Sequence, residues 1–310
     1  MKKILLSLVA AGLLLAGCSG TGLEGETAKS SGEAVSKAPA DLKVGVSLST
    51  LNNPFFVAVK DGVKDLADKN KTTTSIVDAQ NDSAKQSNDI DDLIQQKVDI
   101  ILVNPVDSSA IQPAVEAAND AKIPVIAIDR TSDGGELLTL VASDNVKGGE
   151  MAAQFILDKI GEKGRVIELE GIPGASATRE RGQGFNTFAK DKLEIVEQQS
   201  ADFDRAKGLT VMENILQSTK DIKAVFAQND EMALGAIEAL EAAGVKDVIV
   251  VGFDGNDDGL KAVNEGRLKA TIAQQPAEMG RIALQAAYDY FAGEKLAEKI
   301  DSPLQLIEAK

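Results

Sequence analysis

From Leu42 onward the chain alternates between two apolar periods, and that alternation limits its fold more than any other feature. Short aliphatic runs predict strands at Val44–Ser49, Ser75–Asp78, Ile100–Asn104, Val125–Asp129, Leu138–Ser143, Val166–Leu169, Ala224–Gln228, Val248–Phe253 and Ala270–Ala273. The stretches between them carry stripes at three- and four-residue spacing: Phe56, Val59, Val63, Leu66 and Ala67; Met151, Phe155 and Ile156; Met232, Gly235, Ala236, Ala239 and Leu240. Helices placed between strands are the crossovers that parallel pairing requires. The runs at 100–104, 125–129 and 248–253 are apolar on both alternating faces, as strands covered by two helical layers must be. The fold class is therefore doubly wound α/β. A chain of 310 residues, at ~150 per domain, divides into about two such bodies. Two lobes with a cleft between them are expected, and the strand count alone does not place the crossings that join them.

Composition removes most chemistry. The chain has no histidine, no tryptophan and one cysteine, which excludes disulfide frameworks, Cys/His zinc sites, Cys-His dyads and Ser-His-Asp triads. With 33 Lys and Arg against 48 Asp and Glu the net charge is -15, which opposes nucleic acid and anionic lipid surfaces. The loops lack the usual cofactor cradles. The first strand runs into Thr50-Leu51-Asn52-Asn53-Pro54 without glycine, and Gly182-Gln183-Gly184 lacks the third glycine of a dinucleotide fingerprint. No Gly-x4-Gly-Lys-Ser/Thr and no Gly-x-Ser-x-Gly is present. Neither a cofactor nor a metal is expected, and acid pairs without histidine leave a glycosidase as the one enzymatic alternative.

Residues 1–17 pair a short positive start, Lys2-Lys3, with an apolar run from Ile4 to Leu15, too short for the ~20 residues of a spanning helix. Leu15-Ala16-Gly17-Cys18 resembles the lipobox of bacterial lipoproteins, which implies cleavage before Cys18 and lipid on its sulfur. Residues 18–40 are rich in Ser, Gly, Thr, Glu and Lys, with only Leu23 and Val35 as larger apolar side chains, and read as a tether. Order is expected to begin near Asp41.

The predicted strands repeatedly end on a polar side chain: Asp78, Asn104, Asp129, Asn229 and Asp254. In open α/β sheets those ends face the ligand crevice. Each would also serve as a helix cap or turn residue. Asp129 and Asp254 against Arg130 and Arg181 give a group of zero formal charge, suited to an uncharged solute rich in hydroxyls, since Asp accepts from two hydroxyls and Arg donates in a fork. Phe55, Phe56 and Phe203 offer apolar faces to a sugar ring, although Phe56 also falls on the core stripe of its own helix.

Taken together, the segments Ser49 to Phe56, Asn104-Pro105 with Asp107-Ser108, Asp129-Arg130, Ala142 to Asn145, Arg179 to Gly182, Ala201 to Arg205, Ala227 to Met232, Val251 to Gly255 and Ala270 to Gln274 carry a resemblance. They resemble the type I substrate-binding proteins of bacterial ABC importers, in the branch that takes D-ribose, from about Lys43 to Lys310. The resemblance implies that Asn53, Asn104, Asp129, Arg130, Arg181, Asn229, Asp254 and Gln274 hydrogen-bond the sugar while Phe55, Phe56 and Phe203 sandwich its ring. It implies lobes at 41–143 plus 275–303 and at 144–274 plus 304–310, joined by a three-segment hinge. The implied partners are D-ribose or a similar monosaccharide such as allose, and an ABC permease with its ATPase. The protein would be a monomer, outside the cytoplasm, touching the cell membrane only through Cys18. The lipobox and tether stand where many relatives carry an ordinary signal, which points to an envelope with one membrane rather than to a soluble role such as chemoreceptor signalling. Lys69 to Thr74 also departs from the family pattern, away from the site. A regulator of the related repressor fold would need a basic helix-turn-helix where this chain has its signal and acidic tether. A sugar-processing enzyme would turn its ligand over, and hexose clefts often use the Trp and His that are missing here.

Overall fold

The computed structural model describes residues 36–309, so the signal region, Cys18, most of the tether and Lys310 lie outside the described residues. Contacts begin before Asp41: the Lys37 N–H donates to Phe291 O, and its ammonium pairs with Asp99. The elements then alternate as β1 (Lys43–Leu48), α1 (Pro54–Asn70), β2 (Thr73–Asp78), α2 (Ser83–Gln95), β3 (Ile100–Val103), α3 (Gln112–Asp120), β4 (Val125–Ile128) and β5 (Thr139–Ser143). A second series follows: α4 (Asn145–Ile160), β6 (Arg165–Glu170), α5 (Ser176–Ala189), β7 (Glu194–Ser200), α6 (Arg205–Ser218), β8 (Ala224–Ala227), α7 (Asp230–Ala242), β9 (Ile249–Asp254), α8 (Asp257–Asn264) and β10 (Ala270–Ala273). The chain closes with α9 (Pro276–Phe291), β11 (Lys299–Ser302) and β12 (Gln305–Glu308).

Two six-stranded sheets result, ordered β2-β1-β3-β4-β5-β11 and β7-β6-β8-β9-β10-β12. Within each, the first five strands run 2-1-3-4-5, the doubly wound order whose crevice opens where the winding reverses, at β1/β3 and at β6/β8. All pairings are parallel except β10 with β12. The chain changes sheet three times: after β5, after β10, and between β11 and β12. Helix α9 thereby returns to the first sheet, where Met279, Ala283 and Leu284 join Phe56, Val59 and Val63 in one core.

Central strands β3, β4 and β8 are buried at every residue, which matches their continuous apolar sequences. Burying each Val, Leu or Ile there contributes roughly 1.5–3 kcal/mol. The strands not anticipated from sequence are β7, β11 and β12. Their sequences, EIVEQQS, KIDS and QLIE, are mostly polar because each lies at a sheet edge, half exposed.

Candidate functional site

The carboxyl ends of both sheets converge on a small cavity lined by Asn53, Phe55, Phe56, Asp129, Arg130, Ala177, Arg181, Phe203, Asn229 and Asp254. The space enclosed among these side chains is small, so the occupant must be small. The first five residues come from segments following β1 and β4 of the first sheet, and the others from the second.

Local structure explains each placement. Asn53 starts α1: its Oδ1 accepts the Phe55 N–H at 2.9 Å, and Pro54 supplies a preset first helical residue. Asn229 starts α7 in the same way, accepting from Met232 N–H at 2.9 Å while its Nδ2 donates to Phe203 O at 3.1 Å. Capping and lining therefore coexist in these two side chains. Asp129, Phe203 and Asp254 have positive φ values of 65°, 60° and 115°, a strained conformation for L side chains that concentrates at functional sites.

The charged groups form one buried cluster. Arg130 donates from Nη1 to Pro105 O at 3.0 Å and lies 5.1 Å from the ring centroids of both Phe56 and Phe203, one from each lobe. Its Nε is 3.5 Å from Asp129 Oδ2, too long for a hydrogen bond. Arg181 is held on several sides: Nε donates to Asn145 Oδ1 at 2.9 Å, Nη1 to Gln228 O at 2.6 Å, and the guanidinium lies 3.8 Å from the Phe253 ring centroid. Asp254 Oδ1 is 3.7 Å from Arg181 Nη1.

Burial pushes both aspartate carboxyls above the usual range, against the pull of Arg130 and Arg181 on Asp129 and of Arg181 on Asp254. Burial likewise lowers Arg130 to about 10, with Asp129 opposing, so it remains a cation at neutral pH. By formal charge the two carboxyls and the two guanidinium groups balance. Asp129 Oδ1 and Arg130 Nε are buried polar atoms without a protein partner. Such groups each cost about 1–3 kcal/mol until satisfied. An acceptor, a donor and flanking aromatic faces in a neutral enclosure suit a small uncharged polyol.

Asn104 and Gln274 stand one step back from the cavity. Asn104 is fully buried, accepts from Ser49 N–H at 3.2 Å and donates to Ile128 O at 3.0 Å, tying three strand ends together. Gln274 Nε2 donates to Asp254 Oδ1 at 2.9 Å, while its Oε1 is buried without a partner. Asp78 braces the turn after β1 through Leu51 N–H at 3.1 Å and does not line the cavity. Sequence reasoning missed Ala177, which brings small bulk, and Asn145, Gln228 and Phe253, which hold Arg181. No periodicity marks those three, because their proximity exists only after folding.

Apart from the linking segments, four hydrogen bonds cross between the lobes among the described residues, all at one place. Ser108 N–H donates to Gly174 O at 2.9 Å, Ser176 N–H to Ser108 Oγ at 3.1 Å, Thr131 N–H to Ser176 Oγ at 3.0 Å, and Arg179 Nη2 to Asp133 Oδ1 at 2.7 Å. The lobes are closed on each other.

A periplasmic binding protein domain matches residues 44–295. The chain belongs to the periplasmic binding protein family. The ribose import binding protein RbsB of Bacillus subtilis (strain 168) is 58% identical over 266 residues, covering 86% of this chain and 87% of the relative. RbsB of Escherichia coli (strain K12) is 50% identical over 265 residues, covering 85% and 90%. Among solved structures, an ABC transporter solute binding protein from Mycobacterium smegmatis with bound glycerol superposes with a TM-score of 0.83 at 35% identity, covering 86% of this chain and 94% of the other. As a periplasmic binding protein the chain works outside the cytoplasm, as a transporter's substrate-binding protein and not as an enzyme.

Proposed function

We propose that this periplasmic binding protein captures D-ribose by closing its lobes, 41–143 plus 275–303 and 144–274 plus 304–310, and delivers it to an ABC permease and its ATPase. The observation that carries the reading is the neutral, buried set Asp129, Arg130, Arg181 and Asp254, drawn from both lobes around one small cavity and flanked by Phe56 and Phe203. Capture follows from that division. Carboxylates accept from adjacent ring hydroxyls, guanidinium groups donate to hydroxyl and ring oxygens, and the phenyl rings cover the C–H faces. Half of these groups belong to each lobe, so a full set exists only when the lobes meet, and the sugar stabilises closure by its preference for that state. In this reading Asn53, Phe55, Phe56, Asp129, Arg130, Arg181, Phe203, Asn229 and Asp254 meet the sugar, with Asn104 and Gln274 supporting or completing its hydrogen bonds.

Similarity to the ribose import binding proteins supports D-ribose as the ligand. The protein acts as a monomer, held at the membrane through lipid on Cys18. A Cys18→Ser variant should leave the membrane fraction on cell fractionation, and one that stays lipid-modified and membrane-bound refutes the anchor. Thermal shift against neutral monosaccharides tests the binding reading. A ligand at 100 times its Kd adds about 2.7 kcal/mol of stability, so D-ribose should raise the melting temperature clearly. No shift with any sugar in the panel overturns the proposal.

A further inference from the structure

Asp230 opens α7, directly after the cavity residue Asn229, and is fully buried. An acidic residue in a helix's first turn is favourable in itself. This one bonds elsewhere. Its Oδ2 accepts the N–H groups of Gly255 at 2.9 Å and Asn256 at 3.0 Å, and its Oδ1 accepts the Thr271 hydroxyl at 2.7 Å. Gly255 and Asn256 form the turn that leaves Asp254.

Two further observations single out this contact. Asp254 holds a φ of 115°, which persists only where the surroundings over-determine it. Space for the carboxyl is made by glycines on two sides: a Cβ on Gly252 would lie 2.3 Å from Oδ1, and one on Gly259 would lie 2.1 Å from Oδ2. We propose that Asp230 is a positioning residue that clamps the 255–256 turn and so holds the carboxyl of Asp254 at the cavity. The proposal rests on Asp254 acting as a sugar acceptor, and deepens that reading by naming what fixes its geometry.

An asparagine fills the same space, with an oxygen for the two N–H groups and an amide for the Thr271 oxygen, whereas alanine supplies nothing. The test is calorimetric titration with D-ribose of Asp230→Asn and Asp230→Ala, each alone and combined with Asp254→Ala. Asp230→Ala should bind about tenfold or more weakly, a common coupling between contacting groups. Asp230→Asn should stay within about threefold of the parent, and the Ala loss should vanish once Asp254 is gone. An Ala variant with an intact melting transition and parental affinity overturns the proposal. So does an equal loss in both backgrounds, or an Asn variant no better than Ala. If Asp230→Ala fails to fold, Gly259→Ala, which crowds Oδ2, must show the same dependence on Asp254. If the parent binds no sugar, the functional reading fails by itself. The clamp is then judged by a crystal structure of Asp230→Ala, where an unchanged Asp254 backbone refutes it.

Discussion

Replacing Asp254 by glycine should weaken binding strongly while leaving ligand-free stability nearly unchanged. The carboxyl is buried, takes a hydrogen bond from Gln274 at 2.9 Å and lies 3.7 Å from Arg181. In its proposed role as an acceptor for two sugar hydroxyls, at roughly 1.5–3 kcal/mol per bond to a charged group, it would contribute about 3–6 kcal/mol to binding. Its loss should weaken D-ribose by about two to four orders of magnitude. Stability answers to the backbone. Relief of the 115° φ is worth about 1–3 kcal/mol, against ~0.5–1 kcal/mol for glycine's extra freedom when unfolded. No helix cap is lost, because Asn256 and not Asp254 caps α8, accepting Gly259 N–H at 2.8 Å. The gain is offset by Gln274 Nε2, left buried without its acceptor at about 1–3 kcal/mol, so ligand-free Asp254→Gly should melt near the parent temperature. Calorimetric titration paired with ligand-free melting curves checks both expectations, and near-parental affinity with a clearly lowered melting temperature would refute the reasoning.

Arg130→Lys keeps the charge but loses the planar fork seated between Phe56 and Phe203, and should weaken sugar binding about ten- to a hundredfold by titration. Ser176→Ala touches no cavity residue's side chain but leaves Thr131 N–H unpaired only when the lobes are closed. It should lower affinity by up to about fivefold with an unchanged ligand-free melting temperature, since Thr131 N–H is only part-buried and its cost falls at or below the low end of the about 1–3 kcal/mol of an unsatisfied buried donor. Burial raises Asp230 from 3.8 to about 7, and raises Asp254 as well. The folded chain thus holds protons that the unfolded chain releases. Their stabilising effect is fully present below pH ~4 and is lost as pH rises through about 7. Ligand-free melting temperature should fall between pH 6 and pH 8, and Asp230→Asn should reduce that slope, leaving the part that Asp254 carries; a slope unchanged in the variant contradicts the assignment.

The buried strands were legible because a strand covered on both faces has to be apolar throughout, as Ile100 to Val103 and Val125 to Ile128 are. Edge strands obey no such demand. Lys299 to Ser302 and Gln305 to Glu308 carry no strand signal in sequence, and they take strand form because β5 and β10 offer unpaired edges. The site showed in the sequence as polar residues ending apolar runs, a signal that covers ligand contacts and braces alike. Asp78 and Asp129 carry the same signature, and only the fold separates the turn brace from the cavity wall. Supporting residues left no such mark. Asn145 and Gln228 meet Arg181 from 36 and 47 positions away in the chain, distances that no local pattern spans.

The capture mechanism is tested most directly by titrating the parent protein with D-ribose by isothermal calorimetry, with D-allose, D-glucose and D-galactose as comparisons. It predicts saturable binding at one sugar per chain, tightest for D-ribose, with a negative heat-capacity change as the lobes bury the ring between Phe56 and Phe203. Absence of binding to every neutral sugar, or tighter binding of a charged solute, would contradict it.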